Sequence, residues 1–408
     1  MNDPISLINF PEGKIPEIHL IRDVSKHLKR GHRWIFADCF DQKEKPREGL
    51  AILKAKNEII GFGLVQAETQ LRFRLLCLAE EHFVRANNLS HTLNFWSEWQ
   101  WKRAVELRKH FRSDFTNSFR LINGEGDGLP GLIIDIYNDT AVIKHDHPVV
   151  EKFWNHQGIA NRLLQDFPFL RTVYLKRRND EEVKGEEIYG KLQDEVLFLE
   201  NGHTFASNIR DAAKTGFFLD QRDNRKLIGQ FSKGKSVLNL FSYTAGFSVF
   251  AAKGGATHVT SVDIAKAAIS AATRNFEVNQ LQTPHEAIAQ DAFAYIDEQI
   301  KAKNKWDIVI TDPPSFAPNQ KAVESAIEAY TRVFSQSLKL VNANGLFAAS
   351  SCSSHITSEK FLDITRESFS KNRKRGTLVY FGGQPFDHPY PLAMEELRYL
   401  KFALFRVD

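Results

Sequence analysis

The chain has 408 residues, of which 42% are hydrophobic and 25% are charged, and its formal net charge is +4. This length predicts two or three domains, and the composition is that of a globular protein whose mild basic excess permits an anionic partner. Cys39, Cys77 and Cys352 share no metal-ligand spacing and are too few for a disulfide framework, so we expect a reducing, cytoplasmic setting. We find neither an apolar run long enough to span a membrane nor the pattern of a signal peptide, and we expect no membrane partner.

Residues 1–80 predict a small β-barrel domain. Residues 18–36 are typical of a strand followed by a basic helix or turn, and short strand-like runs follow at 50–53, 59–65 and 71–78. The basic stretch carries five positive residues, which are Arg22, Lys26, Lys29, Arg30 and Arg33. Basic groups beside Trp34 suit phosphates and a stacked base. A solvated helix face with Trp34 inside the barrel explains the same pattern.

Residues 81–205 predict a central α+β domain. An amphipathic pattern that includes Phe83 runs through 81–111, and two strand-like stretches flank a glycine-rich turn at 123–131. Residues 149–167 are predicted to be helical and 172–176 to be a strand. Lys176, Arg177 and Arg178 form a second basic cluster, which the acidic residues that follow partly cancel. We find no catalytic constellation here.

Several polar groups gather before a predicted helix near residue 220. They are Asp220, Gln221, Arg222, Asp223 and Arg225. Phe217 and Phe218, just upstream, could wall an adenine or a target base. The alternative is a helix N-terminus with acidic capping and ordinary ion pairs.

Residues 237–263 predict a strand, a turn, a helix and a second strand that ends on Asp263. A carboxylate in that position accepts the ribose hydroxyls of a nucleotide-like ligand. A dinucleotide site requires a G-x-G-x-x-G turn, because a pyrophosphate lies against bare backbone there. This turn has only Gly246 and a bulky Tyr243, which favours S-adenosylmethionine (SAM) over a dinucleotide.

A helix is predicted over 265–279, and a short apolar strand over 288–292 carries Asp291. In a SAM site this acid would meet the adenine amino group. The alternative is that Asp291 only caps the next helix, predicted over 292–301.

Two further strands are predicted to end on chemically active residues. The strand 307–311 delivers Asp312 at its carboxyl end, and Pro313 and Pro314 make the chain rigid behind it. With Phe316, this segment can grip the polar edge and the flat face of a nucleobase, although a rigid turn explains it too. The strand in 345–354 presents Cys352, whose thiolate could attack a pyrimidine ring. We expect the other two cysteines to be small buried core residues. The same interpretation is the alternative for Cys352.

The motifs together resemble a known family. KTGFFLDQRDNR, VLNLFSYTAGFSVFAAKGGATHVTSVD, TDPPSFA and SCSSH, in this order, look like the bacterial rRNA large-subunit methyltransferases related to the 23S rRNA cytosine-C5 enzyme. KRGHRWIF resembles the start of that family's PUA domain, and RLINGEGDGLPGLIIDIY resembles its central domain. The resemblance covers nearly the whole chain. One departure is Ser315, which stands where the family motif has Lys after Asp-Pro-Pro.

The resemblance implies an α/β protein with a PUA-like RNA-binding domain (1–80), a central α+β domain (81–205) and a C-terminal Rossmann-like class I SAM methyltransferase domain (206–408). Asp312 and Cys352 fall on its catalytic positions. We predict that these residues bind the cofactor SAM: Gln221, Phe241, Tyr243, Gly246, Asp263, Ile264, Asp291 and Ala292. We predict that these contact the RNA substrate: Arg30, Arg33, Arg222, Pro313, Pro314 and Phe316.

The expected reaction is formation of 5-methylcytosine in 23S rRNA, in which the Cys352 thiolate adds to carbon 6 and Asp312 supports ring nitrogen 3. Two alternatives stay open. The same fold could methylate a base nitrogen of guanine or adenine, or the chain could be a non-catalytic RNA-binding assembly factor. We expect large-subunit rRNA as the partner, no DNA and no metal, and the oligomeric state, including a homodimer, is left open.

Overall fold

The computed structural model describes residues 6–41, 43, 46–81, 84, 88–177 and 185–408, so Phe83 and Arg178 lie outside the described residues. The chain forms two compact units. The first comprises Met1–Val196, Asn208–Phe217 and Phe386–Glu395. The second comprises Leu197–Ser207, Phe218–Pro385 and Glu396–Asp408. The domain borders at 80 and 205 stay predictions.

A five-stranded sheet begins the first unit. Its strands are β1 (Glu17–Leu20), β2 (Trp34–Phe36), β3 (Gly49–Ala55), β4 (Glu58–Val65) and β5 (Leu71–Leu78). They lie in the order β1-β3-β4-β5-β2, and the short basic helix α1 (Ser25–Lys29) separates β1 from β2 along the chain. Leu53, Val65 and Phe73 are fully buried on one side of the sheet. The predicted strands and the basic helix are confirmed.

A second five-stranded sheet follows in the same unit. Its elements are α2 (Leu89–Arg108), β6 (Ser118–Asn123), β7 (Leu132–Tyr137), β8 (Thr140–His145), α3 (Pro148–Phe153), α4 (His156–Asp166), β9 (Thr172–Lys176) and β10 (Gly185–Tyr189). The strand order is β10-β9-β8-β7-β6. The prediction of one helix over 149–167 is wrong. Trp154 takes an extended conformation with ψ 133° and ends α3, and the Asn155 side chain then caps α4 by accepting from the Gly158 N–H.

The second unit has a seven-stranded sheet with helices between its strands. Two paired strands, β11 (Val196–Glu200) and β12 (His203–Ser207), precede it. The other strands are β13 (Ser236–Leu240), β14 (His258–Asp263), β15 (His285–Ala289), β16 (Trp306–Thr311), β17 (Val341–Ser351), β18 (Gly376–Gly382) and β19 (Lys401–Val407). The helices are α5 (Arg222–Phe231), α6 (Gly246–Lys253), α7 (Lys266–Val278), α8 (Ala292–Ala302), α9 (Val323–Leu338) and α10 (Ser358–Lys371).

The sheet order is β15-β14-β13-β16-β17-β19-β18. The first five strands are parallel, and β19 runs antiparallel to both β17 and β18. The central strands are apolar because helices cover both faces of a parallel sheet, and Leu238, Val309 and Phe347 are fully buried. The strand predicted over 288–292 ends earlier, at Ala289, because Asp291 caps α8 and Ala292 is already helical.

Candidate functional site

The predicted site lies at one edge of the seven-stranded sheet. The carboxyl ends of parallel strands share an edge, and a ligand crevice opens there where the strand order reverses. The reversal falls at β13, because β14 pairs with one side of it and β16 with the other. The predicted residues follow these strand ends: Phe241 after β13, Asp263 at the end of β14, Asp291 after β15, Asp312 after β16 and Cys352 after β17.

The loop between β13 and α6 has a strained backbone. Phe241, Tyr243 and Ala245 have φ values of 59°, 48° and 60°, a region that is costly for residues with a Cβ atom. The loop is fixed because the Tyr243 N–H donates to Asp263 Oδ2 over 2.9 Å. The Ser242 hydroxyl is buried and has no hydrogen-bond partner among the described residues. Strain and an unsatisfied polar group together are typical of a ligand-binding turn.

The Asp263 carboxylate is held in a fixed orientation. Its Oδ1 accepts from the Ala265 N–H over 2.9 Å, and its Oδ2 accepts from Tyr243. Each carboxylate oxygen has two lone-pair sites, so both oxygens can also accept from a ligand hydroxyl. Ile264 follows directly and is 71% exposed, which offers an apolar surface beside the acid. These residues fit a ribose with an adjoining flat base.

Asp291 caps α8. Its Oδ1 accepts from the Ala294 N–H over 2.9 Å, and Ala292 is buried in the first turn of the helix. The predicted capping contact is therefore present, and whether capping is the sole role of Asp291 stays open. The carboxyl group is exposed at the same edge as Asp263, so its role toward an adenine stays a prediction.

The side chain of Gln221 is hydrogen-bonded to that of Asp312. Its Nε2 donates to Asp312 Oδ2 over 2.9 Å and to the Ser350 hydroxyl over 3.0 Å. Its Oε1 accepts from Asn224 Nδ2 over 2.6 Å. Gln221 is buried, so its side chain orients Asp312. Cofactor binding by Gln221 stays a prediction.

Of the other polar groups near the start of α5, Asp223 is exposed, and the rest, Asp220, Arg222 and Arg225, are buried. Arg225 forms two hydrogen bonds of 2.7 Å with the Glu200 carboxylate and donates to the Phe218 carbonyl over 2.9 Å. This confirms the ion-pair alternative for Arg225. Arg222 is 2% exposed with its Nε 3.8 Å from an oxygen of Asp223, and its contact with substrate stays a prediction.

The Phe218 ring packs edge-on against Tyr243, with 5.0 Å between the ring centroids. It therefore lies beside the strained loop and could wall a ligand there. Phe217 is buried, and its N–H donates to the hydroxyl of Tyr137. Phe217 ends the segment Asn208–Phe217 of the first unit.

The segment after β16 is anchored through Ser353. The Ser353 hydroxyl lies 2.8 Å from that of Ser315 and 2.9 Å from that of Tyr330. The Phe316 ring packs 4.8 Å from the ring of Tyr330. Ser315, the departure from the family motif, therefore joins the Asp-Pro-Pro segment to the loop that carries Cys352. Pro313 is buried and Pro314 is exposed.

Cys352 follows β17 and is half-buried, outside any disulfide. Cys39 and Cys77 are 6% and 0% exposed, which confirms that they are core residues. Burial raises the pKa of both of these thiols. Of the three thiols, that of Cys352 is the most accessible.

Lys401, which the sequence analysis missed, lies beside Cys352. It begins β19 opposite Ser351, and its Nζ donates to the carbonyls of Ser353 and Tyr399 over 2.6 and 2.7 Å. Burial lowers the pKa of Lys401 to about 8, and the nearby Cys352 side chain counteracts this. The sequence feature that could have drawn attention to Lys401 is its position at the start of the apolar run KFALFRV.

The basic stretch of the first unit is partly neutralised. Arg22 pairs with Asp38 and Lys29 pairs with Glu80, over 2.8 and 2.7 Å. Arg33 donates to the Leu76 carbonyl and lies 3.8 Å from Glu81. Lys26 and Arg30 are exposed and make no ion pair within the described ranges.

Arg33 also lines a cavity of about 360 Å³ in the first unit, together with Gly31, Arg103 and Glu125. Trp34, which the alternative interpretation placed inside the barrel, donates from Nε1 to Glu125 over 2.6 Å. Trp34 is therefore a half-buried residue with a fixed polar edge. Whether Arg30 and Arg33 contact RNA stays a prediction.

Lys176 and Arg177, the described members of the second basic cluster, are both engaged by other groups. Lys176 is 2% exposed and its Nζ donates to the carbonyls of Ile209 and Ala212. Arg177 is paired with Glu151 and Glu186. The charge of Lys176 therefore satisfies buried backbone carbonyls.

In the part of the chain that the structure describes, no three His, Cys, Asp or Glu side chains group as a metal site would require. No helix in the same residues is long and apolar enough to cross a membrane.

The strand order, the antiparallel β19 and the acid at the end of β14 define a class I methyltransferase fold. Two family models match: S-adenosylmethionine-dependent methyltransferase over residues 169–373, and PUA-like domain over residues 18–78. The chain belongs to the S-adenosylmethionine-dependent methyltransferase family, and SAM is its cofactor.

Full-length relatives are similar to this chain. The "Ribosomal RNA large subunit methyltransferase" of Deinococcus radiodurans is 30% identical, over 98% of this chain and 100% of the relative. The "Ribosomal RNA large subunit methyltransferase I" of Tolumonas auensis is 31% identical, over 95% and 98%.

Solved structures agree with the sequence relatives. A candidate SAM-dependent methyltransferase from Streptococcus mutans superposes with a TM-score of 0.83 at 28% identity, over 96% of this chain and 100% of that one. A candidate methyltransferase complexed with SAH gives the same values.

Proposed function

We propose that this protein methylates carbon 5 of a cytosine in large-subunit rRNA through a covalent Cys352 adduct. The observation that carries the proposal is the placement of Asp312 and Cys352 at the carboxyl ends of two neighbouring parallel strands, β16 and β17. The printed names of the relatives support rRNA as the substrate. The cytoplasmic setting expected from the cysteines is part of the same proposal.

The cofactor would lie along the loop after β13. Asp263 would accept the ribose hydroxyls, the exposed carboxyl group of Asp291 would meet the adenine, and Ile264 would cover the base. The buried hydroxyls of Ser242 and Thr311 have no partner among the described residues and suit further polar contacts. When bound, SAM supplies an electrophilic methyl group.

The proposed chemistry uses two side chains of this chain. Carbon 5 of cytosine is a weak nucleophile until a group adds to carbon 6. The Cys352 thiolate forms the S–C6 bond, and the electrons of the C5–C6 double bond move into the ring and toward nitrogen 3. After methylation of carbon 5, a base removes the proton from that carbon, the double bond re-forms and the thiolate leaves.

Asp312 supports nitrogen 3 in this scheme. Its Oδ2 already accepts from Gln221, so a proton on the carboxyl group would reside on Oδ1 and be donated to the ring nitrogen. The same proton would return to Asp312 when the thiolate leaves and the aromatic ring is restored. Gln221 would hold the carboxyl group in this orientation. Pro313 and Pro314 keep the backbone behind it rigid.

The decisive experiment incubates the protein with methyl-labelled SAM and unmodified large-subunit rRNA, and then identifies the labelled nucleoside after digestion. We expect labelled 5-methylcytidine. Labelled methylguanosine or methyladenosine would overturn the cysteine chemistry in favour of direct transfer to a base nitrogen.

The covalent step has its own test. RNA containing 5-fluorocytosine is expected to give a stalled adduct with the wild-type protein, because fluorine at carbon 5 cannot leave as a proton. Cys352→Ala is expected to form no adduct and to transfer no methyl group, yet to bind SAM with nearly unchanged affinity. Cys39→Ala is the matched control and should form the adduct. A fully active Cys352→Ala variant would rule the mechanism out.

A further inference from the structure

Lys401 is a buried cation without a carboxylate partner. It is 2% exposed, and its Nζ donates hydrogen bonds to two backbone carbonyls, those of Ser353 and Tyr399. Among the described residues it makes no ion pair with an acid. Buried lysines are usually paired with an acid, because burial without a counter-charge is costly. The structure therefore buries a positive charge that requires a compensating negative charge nearby.

The position of Lys401 identifies that group. Residue 401 lies opposite Ser351 in the antiparallel register of β17 and β19, so its side chain reaches the residues just past the end of β17. The Nζ of Lys401 is fixed by the carbonyl of Ser353, the residue that follows Cys352 in the chain. Cys352 is also the group that opposes the effect of burial on the charge of Lys401. An anion at Cys352 would supply the missing counter-charge.

We propose that Lys401 is a positioning residue that stabilises the thiolate of Cys352 before it attacks the substrate. The proposal rests on the proposed function and deepens it. The thiol proton of Cys352 passes to solvent, and the ammonium group keeps its own proton throughout. No bond to Lys401 forms or breaks.

Other charged and titratable groups surround this pair. The Tyr330 hydroxyl of α9 contacts Ser353, and burial keeps it neutral by raising its pKa. Arg398 precedes β19 and adds positive potential at Lys401. Asp312 follows the neighbouring strand β16 and adds a carboxyl group. Lys401 is the cation fixed nearest in register to the end of β17.

The test measures the alkylation of Cys352 by iodoacetamide across pH 6 to 10 in the full-length protein, with the modified peptide quantified by mass spectrometry. Alkylation follows the thiolate fraction and needs neither RNA nor methyl transfer. Lys401→Met keeps an unbranched side chain that is one atom shorter and removes its charge, whereas Lys401→Arg keeps the charge. Cys39 and Cys77 are buried, and their lack of modification reports that each variant is folded.

We expect Lys401→Met to alkylate Cys352 about tenfold more slowly at pH 7 and to shift the profile about one pH unit upward, since one unit corresponds to a tenfold change in thiolate fraction. Lys401→Arg should stay near the wild-type profile. Coincident profiles for Lys401→Met and wild type would overturn the proposal and leave Lys401 as a support for two carbonyls.

A second measurement does not depend on the variants. The wild-type profile is compared with that of the urea-unfolded chain, and we expect its midpoint to be lower when the protein is folded. A midpoint that is higher in the folded protein would overturn the proposal even if Lys401→Met does not fold. The proposed function is contradicted by a different result, methyl transfer by the Cys352→Ala variant. The two proposals can therefore be rejected independently.

Discussion

Nε2 of Gln221 lies 2.9 Å from Oδ2 of Asp312 and donates a hydrogen bond to it. The same nitrogen donates to Ser350, and the amide oxygen accepts from Asn224, so the amide is held at both ends. Because the amide is fixed in this way, it holds the carboxyl group of Asp312 in one orientation. Gln221 therefore supports the orientation of the Asp312 carboxyl group, and its contact with SAM stays a prediction.

We expect Gln221→Leu to lower the rate of methyl transfer at saturating SAM by about 2- to 10-fold, because an ordinary hydrogen bond contributes about 0.5–1.5 kcal/mol. The SAM affinity, measured by calorimetry, should change less than threefold. Ser350→Ala is the control, since it removes the other acceptor and leaves the bond to Asp312. A large loss of SAM affinity with an unchanged rate would instead support the cofactor role first predicted for Gln221.

Asp291 caps α8 and is predicted to contact the adenine of SAM, and substitutions can separate these two roles. Asp291→Ser keeps a side-chain oxygen that can cap α8, and its free energy of unfolding should stay within about 0.5 kcal/mol of wild type. Asp291→Ala removes the cap, which accepts from the Ala294 N–H, and should cost about 1 kcal/mol.

Both substitutions remove the carboxyl group, so both should weaken SAM binding by about tenfold in calorimetry. If Asp291→Ser binds SAM as wild type does, Asp291 acts only as a helix cap. Denaturant unfolding of the two variants provides the stability comparison.

The sequence predicted those parts of the site that local patterns encode. Asp263 and Asp312 each end an apolar run, and such runs in a parallel sheet all end at one edge. Lys401 could not be placed in this way. Its contact with the end of β17 depends on an antiparallel pairing across about 50 residues, which leaves no local periodic signal.

The burial of Glu200 opposite Arg225 was hidden for the same reason. Each residue alone is an ordinary charged residue on a strand or helix, and only the fold brings them within 2.7 Å. Conversely, the break between α3 and α4 had a local signal in Asn155, a residue preferred at helix starts. Helical periodicity on both sides concealed it.

We expect His285 to make the second unit sensitive to acid. Its ring stacks on Phe276 with 3.7 Å between ring centroids, and its Nε2 lies 2.8 Å from the Ser261 hydroxyl. Burial lowers the pKa of His285 to about 4, with a smaller contribution from His258. The unfolded chain therefore binds the proton first as the pH falls below about 6.5, and stability is lost between that pH and about 4.

We expect the free energy of unfolding of the wild-type protein to fall from pH 7 to pH 5 by about 1–2 kcal/mol more than that of His285→Gln, allowing for partial solvent screening of the ring. Glutamine can still bond to Ser261 but does not titrate. Denaturant unfolding at both pH values measures the difference. Equal losses in the two proteins would show that another group governs the acid sensitivity.

Arg30 provides a test of RNA binding by the first unit. It is exposed and makes no ion pair within the described residues, so its guanidinium group can replace a counterion on a phosphate. We expect Arg30→Ala to weaken binding to large-subunit rRNA fragments of any sequence and to reduce the slope of log affinity against log salt by about 0.7–0.9.

Arg22→Ala is the matched control, because Arg22 is already paired with Asp38 and its loss should change the slope less. Fluorescence anisotropy at 50 to 200 mM salt measures both variants. Since an exposed arginine contributes little to stability, neither variant should unfold, and a lower affinity would report the interface itself. An Arg30→Ala slope equal to that of wild type would place the RNA contacts of this protein elsewhere, and the exposed Lys26 on α1 would be the next residue to substitute.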